Sequence, residues 1–452
     1  MSDHNFYDSL RKFAADQPLR LHMPGHKGKG LPMEEWDALA PLDFTELTPT
    51  GDLYGDGDDW LEESERLWAW DWGMDAAFYS TGGSTQGIFT LFALFTRPGD
   101  TVLVDRVCHK SVHNALALFD LKPVWLLRPW EPECAVTGPM TAEVLEAAFQ
   151  AHPEAKAALV TSPTYYGVLS DVDELGKICR GHGARLLVDG AHGAHLPLVL
   201  PREPNCLLGH NPYQGADGVA VSAHKTLPAP GQTGLVFANG AGIRGLRRAA
   251  ELTGTSSPSF VMMAALDRLR PWLHQEGRGS FRRVAAWCAD LRESYPSLPL
   301  SGAGLDPCRL VLQVEDGRKL AGRLEEMGIY VEMADSFHLV CILTAADGER
   351  DILRFKRALN FLGLKGRAPF LPDLEAPPLP RSVLTPRQAR FAPAARGRLA
   401  LAEGKVAAQA IAPYPPGVPV AAPGEVLDEK ILAYLYKLCY DKNSAVLTVE
   451  PS

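Results

Sequence analysis

The chain has no long uninterrupted apolar run. None of its apolar stretches approaches the roughly 20 residues that cross a bilayer as a helix. Residues 1–20 are charged throughout and contain no apolar core of the kind that marks a secretory signal. Low-complexity tracts and internal repeats are also absent, and 46% of the 452 residues are hydrophobic. These features predict a globular protein of the cytoplasm with no membrane partner.

The chain also has fewer basic than acidic residues, and its cysteines have no regular spacing. The formal net charge is -9, which argues against nucleic acid as the main partner and is compatible with a cationic substrate. The eight cysteines form no CxxC pair and have no regular spacing, so we expect reduced and mostly buried thiols.

Changes in the residue pattern along the chain predict three parts. Residues 1–59 resemble an N-terminal arm, residues 60–260 a large domain, and residues 261–452 a smaller C-terminal α+β domain. Strand-like and helix-like segments alternate through the large domain, which predicts a mainly parallel sheet covered by helices on both faces. The strands expected there are Ala76–Tyr79, Thr101–Asp105, Ala157–Thr161, Arg185–Asp189, Gly218–Ser222 and Gly234–Ala238.

Such folds bind ligands at the carboxyl ends of their strands, and polar motifs follow four of the predicted strands. The first motif, Ser80–Gly87, combines glycines with hydroxyls before a predicted helix, and Gly83, Ser84 and Thr85 suit the binding of a phosphate. An ordinary tight turn with a serine cap would look the same.

The other three motifs carry a carboxylate, an amine and an imidazole. Asp189 ends an apolar run, where a carboxylate requires a partner such as a cationic ring nitrogen, although a turn cap or an arginine would also serve. Lys225 follows another strand and could be an amine nucleophile or a solvated lysine. His109 could stack on an aromatic cofactor or be structural.

Taken together, the four motifs meet the requirements of a pyridoxal 5'-phosphate (PLP) site. The phosphate needs an anion cradle, the pyridine nitrogen a carboxylate, the aldehyde a lysine, and the ring an aromatic neighbour. Their agreement favours this cofactor far more than any one of them does alone.

The sequence then resembles the fold-type-I PLP-dependent decarboxylases of ornithine, lysine and arginine, in their compact form without an N-terminal wing domain. The resemblance covers nearly the whole chain. It rests on the motifs LHMPGHKG, DFTEL, STGGST, DRVCHKS, SPTYYG, DGAHGAH, SAHKTLPAPGQTG and the late PPG and PGE stretches.

The resemblance implies a role for each matching residue. Lys225 would hold the cofactor as a Schiff base, Asp189 would pair with the pyridine nitrogen, and His109 would stack on the ring. The phosphate would be surrounded by Ser84, Thr85, Ser222 and His224, and the opposite face of the ring would be lined by Ala191 and His192. His224 is also a candidate for the proton donor to the substrate.

The implied reaction is the decarboxylation of a basic amino acid in polyamine metabolism, with arginine to agmatine favoured over lysine to cadaverine or ornithine to putrescine. The implied assembly is a homodimer or higher homo-oligomer whose subunits share their active sites. Carboxylates that could bind the substrate side chain are Asp43, Glu46, Asp56, Asp58 and Glu425, and the loop Pro415–Gly417 could reach a neighbouring subunit.

Three alternatives stay open at this point. One is another fold-type-I reaction, such as that of an aminotransferase or a lyase. Another is a metal hydrolase that uses His192 and His195 with His182 or Cys179, although the expected metal content is none. The last is a protein that kept the fold and lost catalysis.

Overall fold

The computed structural model describes residues 6–20, 23–24, 26–29, 34–47, 50–55, 59–200, 211–300, 304–412, 418–438 and 441–450. The chain forms two compact units. The first unit comprises Met1–Leu94 and Val188–Arg282, and the second comprises Phe95–Leu187 and Arg283–Ser452. The predicted domain boundaries after residues 59 and 260 stay a prediction.

The first unit contains three paired strands. Gly234–Ala238 runs antiparallel to both Ala76–Ser80 and Gly218–Ser222, with Ala238 opposite Ala76 on one side and Gly218 on the other. The two outer strands therefore point the same way. All three are buried along their whole length, which explains their continuous apolar character.

Helices precede and follow these strands along the chain. The helices of the first unit are Phe6–Ala15, Trp60–Trp72, Gly83–Phe95, Leu196–Val199, Ala223–Thr226, Ile243–Glu251 and Phe260–Trp272, with short helical turns at Glu34–Trp36, Ala40–Leu42 and Leu273–Gly277. Helix Arg278–Ser294 begins in the first unit and continues into the second. Helix Trp60–Trp72 shows how local sequence sets such bounds. Asp59 accepts hydrogen bonds from the first backbone amides, and Gly73 ends the helix in the left-handed conformation with φ of 63°.

A buried ion pair holds this helix to the rest of the first unit. Glu65 accepts a hydrogen bond from the Tyr79 backbone amide at 2.9 Å and pairs with Arg247 at 2.9 Å. Burial raises the pKa of Glu65 to about 7, although the Arg247 guanidinium opposes that rise. One carboxylate thus joins helix Trp60–Trp72, strand Ala76–Ser80 and helix Ile243–Glu251.

The second unit contains a parallel trio of strands. Thr101–Asp105 lies between Lys122–Leu126 and Ala157–Thr161 and is parallel to both. At their carboxyl ends the buried Asp105 pairs with Arg128 at 2.5 Å and accepts a hydrogen bond from the Thr161 backbone amide at 3.0 Å. The side chain of Asp105, at the end of its strand, therefore holds both Arg128 and the end of strand Ala157–Thr161 in place.

The remainder of the second unit is built from antiparallel strands and helices. Arg309–Gln313 and Met333–Ala334 flank His338–Ile342, Ala394–Arg398 pairs with Ala445–Val449, and Trp130–Glu131 pairs with Val136–Thr137. The helices are Lys110–Leu118, Ala142–Ala151, Val172–Gly181, Gly317–Glu325, Glu349–Phe361, Pro386–Phe391, the short Leu399–Leu401 and Glu429–Lys437.

The structure confirms the predicted α/β fold. Each predicted strand of the large domain is found within one residue of its expected bounds. Among the described strand pairs within each unit, Thr101–Asp105 is parallel to both its neighbours, whereas Gly234–Ala238 and the small sheets of the second unit pair antiparallel. Among the described residues no helix combines the length and apolar character needed to cross a membrane. Six of the cysteines are buried free thiols, and Cys206 and Cys439 lie outside the described residues.

Replacement of Arg247 by alanine should destabilise the protein by about 3 to 5 kcal/mol, because it leaves Glu65 buried without its partner. Arg248 is exposed in the same helix, and its replacement by alanine serves as the control, with an effect within about 0.5 kcal/mol. Urea unfolding of the two variants measures the difference.

The loss should be larger at pH 8 than at pH 6. When the pKa of a carboxyl group is higher in the folded protein than in the unfolded chain, the free energy of unfolding falls as the pH rises between the two pKa values. Removal of Arg247 raises the folded-state pKa of Glu65 further, so the fall is larger in that variant. Equal unfolding curves for the two variants at pH 8 would contradict this account.

Candidate active site

The loop between strand Ala76–Ser80 and helix Gly83–Phe95 is held by one glutamine. The Ser80 hydroxyl donates to the Gly83 carbonyl at 2.7 Å and lies 3.0 Å from Gln86 Oε1. The Gly82 amide donates to the same oxygen at 3.0 Å. Gln86 is therefore a functional residue that the sequence reasoning missed, since only its position inside the motif could have indicated it.

Two glycines allow the backbone to close tightly at the start of this helix. Gly83 has φ of +64°, a conformation that side chains disfavour. A Cβ on Gly234 would lie 2.9 Å from the Gly83 carbonyl carbon. The turn can occupy this place only because both positions lack a side chain.

Two hydroxyls from different elements meet at the same helix N-terminus. Ser222 ends its strand and donates to Ser84 at 2.8 Å, while Thr85 is exposed on the next position of the helix. A helix N-terminus offers free backbone N–H groups and a favourable dipole to an anion. Ser84, Thr85 and Ser222 thus offer three hydroxyls at this helix N-terminus, and their binding of a phosphate stays a prediction. We call these three residues the anion cradle.

His224 lies beside this cradle. Its Nδ1 lies 2.9 Å from the Thr233 carbonyl oxygen, which can only accept, so this ring nitrogen carries the proton. A Cβ on Gly83 would lie 3.7 Å from His224 Cε1, which places the ring at the edge of the turn.

Lys225 is on the short helix Ala223–Thr226, immediately after strand Gly218–Ser222. The side chain is half-buried, and its Nζ lies 3.2 Å from Nε2 of the buried His192. A lysine amine held by an imidazole has a fixed position inside the protein, whereas a solvated lysine would not. The structure therefore brings together Lys225 and His192, as their predicted roles require.

Asp189 is the last residue of its strand and is only 3% exposed. Its Oδ1 accepts a hydrogen bond from the backbone amide of Ala191 at 3.1 Å. Ala191 and His192 are buried in the turn that follows. A carboxylate in this position is suited to hold a proton on a heterocyclic nitrogen.

His109 belongs to the second unit, where it caps helix Lys110–Leu118. Its Nδ1 accepts from the Ser111 backbone amide at 3.2 Å and lies 2.9 Å from the Ser111 hydroxyl. The imidazole is exposed, with one nitrogen engaged by its own helix. Its stacking on a cofactor ring stays a prediction.

The first-unit residues fit PLP. The turn at Gly83, with Ser84 and Ser222, offers donors to a phosphate. Lys225 offers an immobilised amine to an aldehyde, and Asp189 offers a buried carboxylate to a pyridine nitrogen.

Residues 4–308 match the family model for the major domain of Orn/Lys/Arg decarboxylases, and residues 375–444 match the model for the C-terminal domain. The chain belongs to the Orn/Lys/Arg decarboxylase family. It is therefore a PLP-dependent amino acid decarboxylase, which decides against the aminotransferase and metal-hydrolase alternatives.

Relatives in this family align over most of the chain. The arginine decarboxylase of Bacillus subtilis is 27% identical over 97% of this chain and 94% of its own length. The Halalkalibacterium halodurans arginine decarboxylase is 28% identical over 93% and 90%. The constitutive lysine decarboxylase of Escherichia coli is 24% identical over 83% and 68%.

Solved structures show the same fold. The Escherichia coli constitutive lysine decarboxylase superposes with a TM-score of 0.77 at 20% identity, covering 98% of this chain and 81% of that one. A Sphingomonas wittichii serine palmitoyltransferase gives 0.54 at 19% identity, covering 70% and 80%. These likenesses confirm the fold-type-I architecture.

The acidic residues considered for the substrate side chain have different surroundings. Glu425 is 1% exposed and pairs with Arg106 through both oxygens, at 2.7 and 2.8 Å. This carboxylate is a structural counter-charge, so its suggested role is not supported. Asp43 lies 3.2 Å from His26, and burial raises the pKa of Glu46. Asp56, Asp58 and Pro415–Gly417 lie outside the described residues.

Replacement of Gly234 by alanine should weaken PLP binding by at least about tenfold, because the new methyl group forces the Gly83 turn away from the cradle. Gly231 offers a matched control, since a Cβ there meets no atom within 4 Å. Titration of each apoenzyme with PLP, followed by absorbance, measures the affinities. Equal affinities for the two variants would show that the close contact does not shape the site.

Proposed function

We propose that this chain converts arginine to agmatine and CO2, using PLP bound at Lys225. The observation that carries the proposal is the half-buried Lys225 amine held 3.2 Å from His192, on the helix that follows Ser222 of the anion cradle. The choice of arginine is supported by four relatives named arginine decarboxylase, which align over 92–97% of this chain.

The cofactor, when bound, would accept the electron pair that stays on Cα when the substrate carboxylate departs as CO2. The residues of this chain would bind and orient it. Ser84, Ser222 and the free amides of helix Gly83–Phe95 would anchor the phosphate, with Thr85 and His224 at its border. The same residues would hold the cofactor in place relative to the Lys225 amine.

Asp189 holds a proton on the pyridine nitrogen. The carboxylate is buried and braced by the Ala191 amide, so it does not have to reorganise during the reaction. A fixed negative charge in a water-poor site stabilises the adjacent cationic nitrogen more strongly than it would in water. Asp189 therefore favours the charge distribution that decarboxylation requires.

Lys225 and His192 handle the reactive amine. His192 Nε2 can accept from the Lys225 ammonium or donate to the neutral amine, and so steadies Nζ in either state. We also propose that Ala191 and His192 line one face of the ring. We further propose a cytoplasmic homodimer with shared active sites that serves polyamine biosynthesis.

A panel of arginine, lysine and ornithine tests the substrate. We expect kcat/KM for arginine to exceed that for the other two by at least about tenfold, with CO2 and agmatine formed in equal amounts. Borohydride should trap the cofactor on Lys225, and the Lys225→Ala variant should show neither adduct nor CO2. Release of a keto acid, or faster turnover of lysine, would refute the assignment.

The Asp189→Asn variant separates catalysis from binding. The amide keeps the shape of the side chain but loses the charge, so we expect the cofactor content to stay near wild type while kcat falls at least about 100-fold. The visible absorbance of the variant and its rate of CO2 release measure the two effects. A variant with wild-type kcat would exclude the proposed pairing with the pyridine nitrogen.

A further inference from the structure

The second unit contains a cavity of about 320 Å³ that the proposed reaction does not use. We call it the Tyr434 cavity. Its walls are mainly apolar and include five aromatic side chains, which are Trp130, Tyr165, Tyr166, Phe337 and Tyr434. Cavities of this size with aromatic walls and a few polar groups are typical of small-molecule sites.

The walls are held in place by hydrogen bonds. Trp130 Nε1 donates to the Leu374 carbonyl at 3.1 Å, and the Tyr166 hydroxyl donates to Asp335 at 2.6 Å. His338 lies between Asp335, at 3.0 Å from Nδ1, and the Cys134 carbonyl, at 2.7 Å from Nε2. Because these contacts come from segments far apart in sequence, the cavity is formed before any ligand arrives.

Most charged groups in the lining are already compensated. Arg106 pairs with Glu425, Arg128 pairs with Asp105, and Asp335 faces His338. Arg318 differs. Within the described part of the chain its guanidinium contacts only neutral acceptors, namely the Ser336 hydroxyl at 3.2 Å and the Leu438 carbonyl at 3.3 Å.

Arg318 is exposed at the edge of the cavity and can accept an anion. The guanidinium has five N–H donors, and the two contacts leave most of them available. A guanidinium that has no carboxylate partner can form two parallel hydrogen bonds with the planar carboxylate of a ligand in the neighbouring apolar cavity.

Tyr434 supplies a second polar group. The side chain is only 8% exposed, lines the cavity, and has no hydrogen bond to any described residue. Burial raises the pKa of Tyr434 to about 12, so the hydroxyl keeps its proton and remains a donor at neutral pH. The hydroxyl is therefore available to donate to a molecule bound in the cavity.

We propose that the Tyr434 cavity binds a small aromatic monocarboxylate, with its ring between the aromatic walls, its carboxylate on Arg318 and the Tyr434 hydroxyl as a further donor. A single uncompensated guanidinium favours one negative charge over the several charges of a nucleotide phosphate. The aromatic walls favour a ring over an aliphatic chain. None of the residues that line the cavity is among those proposed to hold PLP.

Calorimetric titration of the holoenzyme with 2-naphthoate tests the proposal, with uncharged 2-naphthamide for comparison. We expect saturable binding of the acid, about tenfold weaker binding of the amide, and no change in the visible absorbance of the cofactor. The Arg318→Gln variant should bind the acid about tenfold more weakly, and Tyr434→Phe about three- to tenfold more weakly.

Arg323 provides the matched control, because it is exposed on the same helix, Gly317–Glu325, and does not line the cavity. The Arg323→Gln variant should bind 2-naphthoate as the wild type does. All three variants should retain decarboxylation, which shows that they are folded.

Three results would overturn the proposal. One is no saturable binding at millimolar 2-naphthoate, as expected if a second copy of the chain covers the cavity. Another is equal affinity in the wild type, Arg318→Gln and Tyr434→Phe. The third is displacement of 2-naphthoate by arginine together with a changed cofactor spectrum, which would place the molecule in the active site.

Discussion

The candidate site depends on the close contact between the backbones of Gly83 and Gly234. This contact fixes where helix Gly83–Phe95 begins and therefore where its free amides point. It also sets Ser84 within hydrogen-bond distance of Ser222, the last residue before the helix that carries Lys225. The hydroxyls proposed to bind the phosphate and the amine proposed to bind the aldehyde thus share one frame, which is what a cofactor bound at both ends requires.

The sequence predicted the strands well because they are fully buried. Ala76–Ser80, Gly218–Ser222 and Gly234–Ala238 are apolar except for a terminal serine in the first two, and glycine or polar residues bound them, which is a strong local signal. Lys122–Leu126 was not predicted, since it contains a proline and is only partly buried. Lys122–Leu126 becomes a strand because it pairs with Thr101–Asp105, and such a pairing leaves no pattern in the local sequence.

The proximity of side chains was predictable where motifs placed several polar groups at the ends of strands, and not where the partner is distant. Lys225 and His192 are 33 positions apart, yet each belongs to a motif that pointed to the same cofactor. Glu425 and Arg106 are 319 positions apart, so nothing near Glu425 indicated an internal partner. Gln86 accepts hydrogen bonds within its own loop and was not predicted, because a neutral amide gives no charge signal in the sequence.

The Arg106–Glu425 pair also bears on how the protein is made. Arg106 is buried, and its counter-charge Glu425 lies 319 residues later in the sequence. During synthesis on the ribosome the guanidinium has to remain hydrated until residue 425 emerges, because a buried charge without a partner is costly. This corner of the second unit can therefore reach its final packing only after residue 425 has left the ribosome.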